Sequence, residues 1–469
     1  MKGLCSSDET IDVYLLYLGG IMGTTQSLAN WVVSAQSGDI PEKAYEQAKK
    51  SILDYLGTTI QGSTTPLGKI MIDYSREQGG SSQARIIATD IVTTSANAAF
   101  ANGAMGHAED FDDLGGVGGH PAVALTPTVL ALAEELNLSG KEMLSAWAVG
   151  YEVGTRLSAN LHPDRDWHPT AIFGTMASAV AASKLLGLDE WKTRMALGIA
   201  GSEAAGLRRN FGTMTKPFHP GNAGRSGVVA AKLASRGYTS DPDIIEGRQG
   251  YADNFGGPKC NLPAVSQFLG DFYFLASQGT RIKPWPCCGG NHQTLTGLLE
   301  LIHKYEINPN DINSVEHIGP GVPGLGALIR SEVGEGLEGK FCLEYNIGAA
   351  IIDKKVDLNT FKDSRSDDGD IQKFMKKVTR SQNPDVSLRH AHIEDGNPSA
   401  RLRVKMNDGS DYDVELGVAH HLTGSEVTDK FKITAGHIFG DSEINQVIDV
   451  VGSLETLDSA RTLMDLVTL

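Results

Sequence analysis

The feature that most constrains the fold is a switch in hydrophobic period near Gly279. Before it, from about residue 25 to 277, apolar residues recur at helical spacing; beyond it, stretches of period two appear. Residues 41–56 place Ala44, Ala48, Ile52 and Tyr55 on one stripe, and Gly57 is expected to end that helix. Residues 122–137 read as an Ala-rich apolar helix. Ser139 and Glu142 form a capping-box pattern for a helix over about 140–160. Residues 170–186 repeat the theme, with Gly187 as the stop and Asp189 as the next N-cap. Past the switch, 314–318 reads as a strand and 345–353 as a short helix. Residues 401–406 and 411–416 alternate around Asn407-Asp408-Gly409, a hairpin signal. Helical periodicity returns from about 424. The expectation is a mainly α protein with an α/β second domain: a large all-helical domain of residues 25–277 and 418–469, completed by the C-terminal helices, and an inserted α/β lid domain of 278–417. Residues 1–24 are expected to be a disordered extension. Their apolar run 11–23 is shorter than the roughly 20 residues a bilayer needs, and Asp8, Glu9 and Asp12 carry the wrong charge for a signal peptide.

Charge and cysteines narrow the function. At roughly 100–200 residues per domain, 469 residues suggest two or three domains. The net charge of −16 argues against nucleic acid or an anionic membrane as partner, because both require a basic face. A small anion held in a local basic pocket remains compatible with it. Cys5, Cys260, Cys287, Cys288 and Cys342 include no CxxC pair, so no zinc ribbon or common iron–sulfur spacing is present. Dispersed thiols suit a reducing compartment, and a cytoplasmic location is expected.

Four segments carry residue types suited to chemistry. His107-Ala-Glu-Asp-Phe-Asp-Asp113, followed by GGVGG and His120-Pro121, packs four carboxylates into five positions. Such crowding suits an acid–base site in which a carboxylate orients a histidine; the alternative is a solvated acidic helix end. Trp167-His168-Pro169-Thr170 sets a histidine at a helix N-terminus, where the dipole disfavours its protonation; it could equally cap or pack there. Between Glu203 and Asp241 there is no acidic residue but six basic ones: Arg208, Arg209, Lys216, Arg225, Lys232 and Arg236. Such a Gly-rich cationic stretch can hold carboxylates through charge-assisted hydrogen bonds, or be a solvated loop. Arg281-Ile-Lys283-Pro-Trp-Pro-Cys-Cys-Gly-Gly lies at the inferred domain junction, where clefts form. There Lys283 could stabilise a developing enediolate. Gly319-Pro-Gly321-Val-Pro-Gly324 matches a dinucleotide fingerprint, but its prolines remove the needed N–H donors. His390 and His392, and the pair His420 and His421, read as surface or packed residues rather than metal ligands.

Together GHAEDFDD with GGHP, WHPTAIFG, GLRRNFGTMTKPFHPG, RIKPWPCCGG and KFCLEY resemble the MmgE/PrpD family over about residues 25–469. That family includes 2-methylcitrate dehydratase, cis-aconitate decarboxylase and an iminodisuccinate epimerase. The resemblance implies a helical domain completed by the C-terminus, an α/β lid, a homodimer, and catalysis without metal or organic cofactor. Carried over motif by motif, it implies catalytic roles for Asp110, His120, His168, Lys216, Lys283 and Tyr345. The charge argument adds Arg209 as a ligand of a substrate carboxylate, and His219 and Arg281 are expected to bind substrate beside it. The expected chemistry is α-proton abstraction from a small polycarboxylate by His168 or His120. Asp110 would orient His120, and Tyr345 or His120 would return a proton. A dehydratase of the 2-methylcitrate type is the first expectation; epimerase and decarboxylase are the alternatives. The decarboxylase pattern carries Thr after the acidic run where this chain has Leu114, which weighs against decarboxylation.

Overall fold

The computed structural model describes residues 22–163, 166–319, 327–382 and 400–469. Expectations that fall on residues 1–21, most of Gly319–Gly324, His390 and His392 lie outside them. Within the supposed extension, helix α1 (Thr24–Ser34) already begins at Thr24.

The body is built from α1, α2 (Glu42–Ser63), α3 (Pro66–Gln78), α4 (Ser95–Gly106), α5 (Ala122–Leu136), α6 (Gly140–Leu161), α7 (Pro169–Leu185), α8 (Glu190–Glu203) and α9 (Thr215–Ser235). The local signals act as expected. Ser139 and Glu142 close a reciprocal capping box at α6, and Asp189 accepts from the Lys192 amide at α8. Helix α7 is buried on nearly every face, the mark of a helix surrounded by others. Its small residues let backbones close in: a Cβ on Gly227 of α9 would lie 2.4 Å from the Ser178 side chain.

Two expectations need correction. Gly57 does not end α2, which runs on to Ser63. A Cβ there would strike Thr434 Oγ1 and Phe431 of the C-terminal helix α13 (Ser425–Ala435), so the glycine serves close helix approach. The body is also not purely helical. Ala84–Arg85 (β1) and Val92–Thr93 (β2) pair antiparallel, turned by the segment between them.

Helices α13, α14 (Asp441–Gly452) and α15 (Arg461–Val467) return to the body. Val427, Phe431, Val447 and Leu463 share one hydrophobic core with Leu28, Tyr55, Trp147 and Ile282. A second core, from Cys287 to Leu416, underlies the α/β part. Its sheet has the order β4 (Val378–Gln382), β3 (Ile312–Gly319), β5 (Ala400–Met406), β6 (Asp411–Leu416). The Asn407–Gly409 turn joins β5 to β6 in register, Arg401 opposite Glu415 and Val404 opposite Tyr412. Helices α10 (His292–Tyr305), α11 (Leu343–Asp353) and α12 (Gly369–Met375) contribute Leu295, Leu298, Ile347, Ile351 and Ile371 to this core. No described helix is long and apolar enough to cross a membrane.

Candidate active site

Where the two cores meet, the acidic run after α4 turns back on itself. Asp110 has a left-handed backbone, φ 49°, sparsely populated by non-glycine residues and held only when its surroundings over-determine it. The loop Gly115–Gly119 then delivers His120 to the start of α5. Gly116 is required there, because a Cβ would sit 2.4 Å from the Tyr151 ring. Residues 114 and 281 exchange backbone hydrogen bonds of 2.8 Å, pinning the acidic run to the strap that carries Lys283.

Lys216, from the first turn of α9, and Lys283 converge on one atom, Asp110 Oδ1, at 2.9 and 3.0 Å. Lys283 also donates to the Asp110 carbonyl at 2.7 Å. Lys216 donates to His107 Nε2 at 2.5 Å and lies 5.2 Å from the centres of the Phe211 and Phe341 rings, a cation–π setting. His107 Nδ1 lies 2.6 Å from Asp112 Oδ1. His120 Nδ1 lies 2.9 Å from both the Asp113 carbonyl and Asp112 Oδ2. Both rings therefore hold their proton on Nδ1, facing acceptors. That leaves His120 Nε2 a free basic lone pair, 3.7 Å from Asp110 Oδ1. His168 and His219 pair Nδ1 to Nδ1 at 3.0 Å on the other side. The His168 ring is 6.2 Å from that of His107.

Burial and charge set the protonation states. Burial favours a neutral Asp110, but Lys216 and Lys283 outweigh it and hold the carboxyl far below its usual range. Asp112 is likewise held low against burial, by His107 and His120. Asp113 is pushed well up by burial and by Asp112; its Oδ1 accepts from the Ala122 amide. Burial opposes charge on Lys283, yet Asp110 and Asp112 keep its pKa above the ordinary lysine value. Burial, helped by Lys216, lowers His168 well below its usual value. It takes His107 to about 4, although Asp112 counters it there. The histidines are thus neutral at neutral pH.

Asp110, His120, His168, Lys216, Lys283 and His219 are brought together; three other expected residues are not. Tyr345 is buried in the second core, and its hydroxyl donates to the Thr360 carbonyl at 2.6 Å. Helix α11 turns the ring inward, so its hydroxyl lies on Thr360 and not in the cluster around Asp110, where proton delivery was expected. Arg209 is exposed; its neighbour Arg208 is half-buried, with its guanidinium 3.7 Å from Asp166 Oδ1. Arg281 contributes its backbone to the Leu114 pairing, and its side chain lies beside Gly115. Asp112, not Asp110, backs the His120 ring. Sequence reasoning assigned no role to His107, Asp112 or Lys340. The first two stood in the acidic run, and Lys340 heads the KFCLEY segment.

His107, Asp110, Asp112 and His120 bring one ligand atom each within 4.8 Å of one another, close enough to hold a metal ion. The donor chemistry does not fit. Two ammonium groups already sit on Asp110 Oδ1, and His107 Nε2 accepts from Lys216. A divalent cation there would meet two fixed positive charges.

The fold is mainly helical with a small α/β part, and its junction buries ammonium groups, carboxylates and imidazoles in contact. The chain belongs to the MmgE/PrpD family: the model of that family's N-terminal domain matches residues 26–261 and that of its C-terminal domain 285–456. Human cis-aconitate decarboxylase is 28% identical over 94% of each chain. The Aspergillus terreus cis-aconitate decarboxylase is 26% identical over 95% of this chain and 96% of its own. The mouse enzyme of that name is 26% identical over 94% and 93%.

Proposed function

We propose that the protein is a lyase acting on a small polycarboxylate, and that it decarboxylates a cis-aconitate-like substrate. The observation that carries this reading is the convergence of Lys216 and Lys283 on Asp110 Oδ1 in a buried site beside His120. Two ammonium charges share one carboxylate and can turn to substrate carboxylates. In the reaction the carbon–carboxylate bond breaks and carbon dioxide departs. The electron pair left behind spreads into the remaining enoate, where fixed cations stabilise it more than the ground state. A proton then returns to carbon from an imidazole. The bound polyanion favours the protonated imidazole that this step needs. His120, with Asp112 behind Nδ1 and Nε2 turned to the site, is the proton donor in this scheme. Relatives of that activity along the whole chain support the choice over dehydration, as does a Tyr345 hydroxyl committed to Thr360.

Leu114 favours a second reading, a 2-methylcitrate-type dehydratase. Its apolar side chain packs over Gly289 where the decarboxylase pattern has a hydroxyl. Neither scheme routes a step through a metal or organic cofactor. A cytoplasmic homodimer belongs to the same proposal, and sedimentation would check the assembly. The test is incubation with cis-aconitate, 2-methylcitrate and iminodisuccinate in deuterated water, read by mass spectrometry. Carbon dioxide release with one deuterium in the product supports decarboxylation. Water loss from 2-methylcitrate alone would replace it with the second reading.

A further inference from the structure

Three consecutive carbonyls of the acidic run each accept from the ammonium of a different lysine. Lys340 donates to Glu109 O at 3.0 Å, Lys283 to Asp110 O at 2.7 Å and Lys430 to Phe111 O at 2.5 Å. The two outer lysines also grip the strap that carries Lys283. Lys430 donates to the Lys283 carbonyl at 3.1 Å, and Lys340 to the Pro286 carbonyl at 2.8 Å. Each is balanced by one carboxylate: Asp54 lies 2.6 Å from Lys430 and Glu109 Oε2 lies 2.8 Å from Lys340. Each ammonium also faces a ring, Phe111 at 3.8 Å for Lys430 and Phe361 at 4.5 Å for Lys340. An ammonium has three N–H donors and no acceptor. In each lysine two of them go to carbonyls, and a carboxylate at ion-pair distance neutralises the charge, so both ammonium groups are committed to the fold rather than to substrate.

We infer that Lys430 and Lys340 are positioning residues: a two-sided clamp that fixes Asp110 in its left-handed turn and holds Lys283 at its carboxylate. The clamp joins three parts of the chain. Lys430 comes from α13 of the C-terminal return, and Lys340 comes from the α/β part just before α11. Both are buried. A lysine kept only for stability would not need its partners on either side of Asp110 and on both ends of the 283–286 strap. The reacting geometry depends on that registration, because a misplacement near 1 Å can cost on the order of 10²-fold in rate.

This inference rests on the lyase reading for its kinetic arm but not for its structural arm. The variants are Lys430→Met, the double variant D54N/K430M, which removes both charges together, and the matching E109Q/K340M. The readouts are thermal unfolding, turnover of cis-aconitate, and amide hydrogen exchange across residues 107–114 and 281–287. The expected result is that the double variants unfold within a few degrees of the parent, lose about 10²-fold in kcat with KM changed less than about threefold, and exchange faster only in those two segments. A clamp that is merely structural predicts that D54N/K430M recovers turnover along with stability. Parent-like kcat, or unchanged exchange in both segments, overturns the inference. If the parent itself turns over no polycarboxylate, the lyase reading fails and the exchange pattern alone decides the clamp.

Discussion

His168 and His219 face each other Nδ1 to Nδ1 at 3.0 Å, so one ring donates and the other accepts, and both cannot be protonated together. Burial, helped by the nearby Lys216, takes His219 down to about 4. The folded pKa lies below the unfolded value of about 6.5. As pH falls, the unfolded chain takes up the proton first, so stability is intact above about pH 6.5 and is lost between 6.5 and 4. His219 should contribute up to about 3 kcal/mol to that loss. Urea unfolding at pH 7 and pH 4.5 checks it: H219Q should flatten the fall between them, and parallel curves would contradict it.

Lys216→Ala and Lys283→Ala should each lower kcat/KM by about 10²–10³-fold, the range seen when one preorganised charge stabiliser is removed. Lys283→Ala should also destabilise by about 3–5 kcal/mol, because Asp110 keeps a buried charge with one partner fewer. Steady-state kinetics with denaturant unfolding separates the two effects. An active Lys283→Ala protein would remove the basis of the proposed chemistry.

Tyr345→Phe should leave turnover within about threefold of the parent. It should cost roughly 1–3 kcal/mol of stability, because the Thr360 carbonyl loses its buried donor. A collapse of kcat with normal stability would return Tyr345 to the site.

Gly57→Ala should destabilise by about 1–3 kcal/mol, the range for overpacking a filled interface. The added Cβ meets Phe431 and Thr434 on the helix that carries Lys430. Chemical unfolding measures the loss, and a neutral result would mean that α13 yields freely.

Dialysis against a strong chelator should leave turnover unchanged within about twofold, since two ammonium groups already occupy Asp110 Oδ1. A fall reversed by one added divalent metal would show that His107, Asp110, Asp112 and His120 bind an ion after all.

Sequence alone determined the elements whose causes are local. The capping box at Ser139, the Asp189 cap and the Asn407–Gly409 hairpin follow from side chains within a few residues of the backbone they satisfy. It also flagged Lys216 through a basic stretch free of acids, His120 through the crowded carboxylates before it, His168 through its place at a helix N-terminus and Lys283 through its place at the domain junction. What it could not decide were distances between remote segments. Gly57 looked like a stop because its partner, α13, is hundreds of residues away. Tyr345 looked available because nothing in its motif says which way α11 turns. Only the tertiary structure set Asp112 behind His120 and laid three lysines on three consecutive carbonyls. Hydrogen bonds and ion pairs act over a few ångströms in space, and spacing along the chain does not report them until the fold has closed.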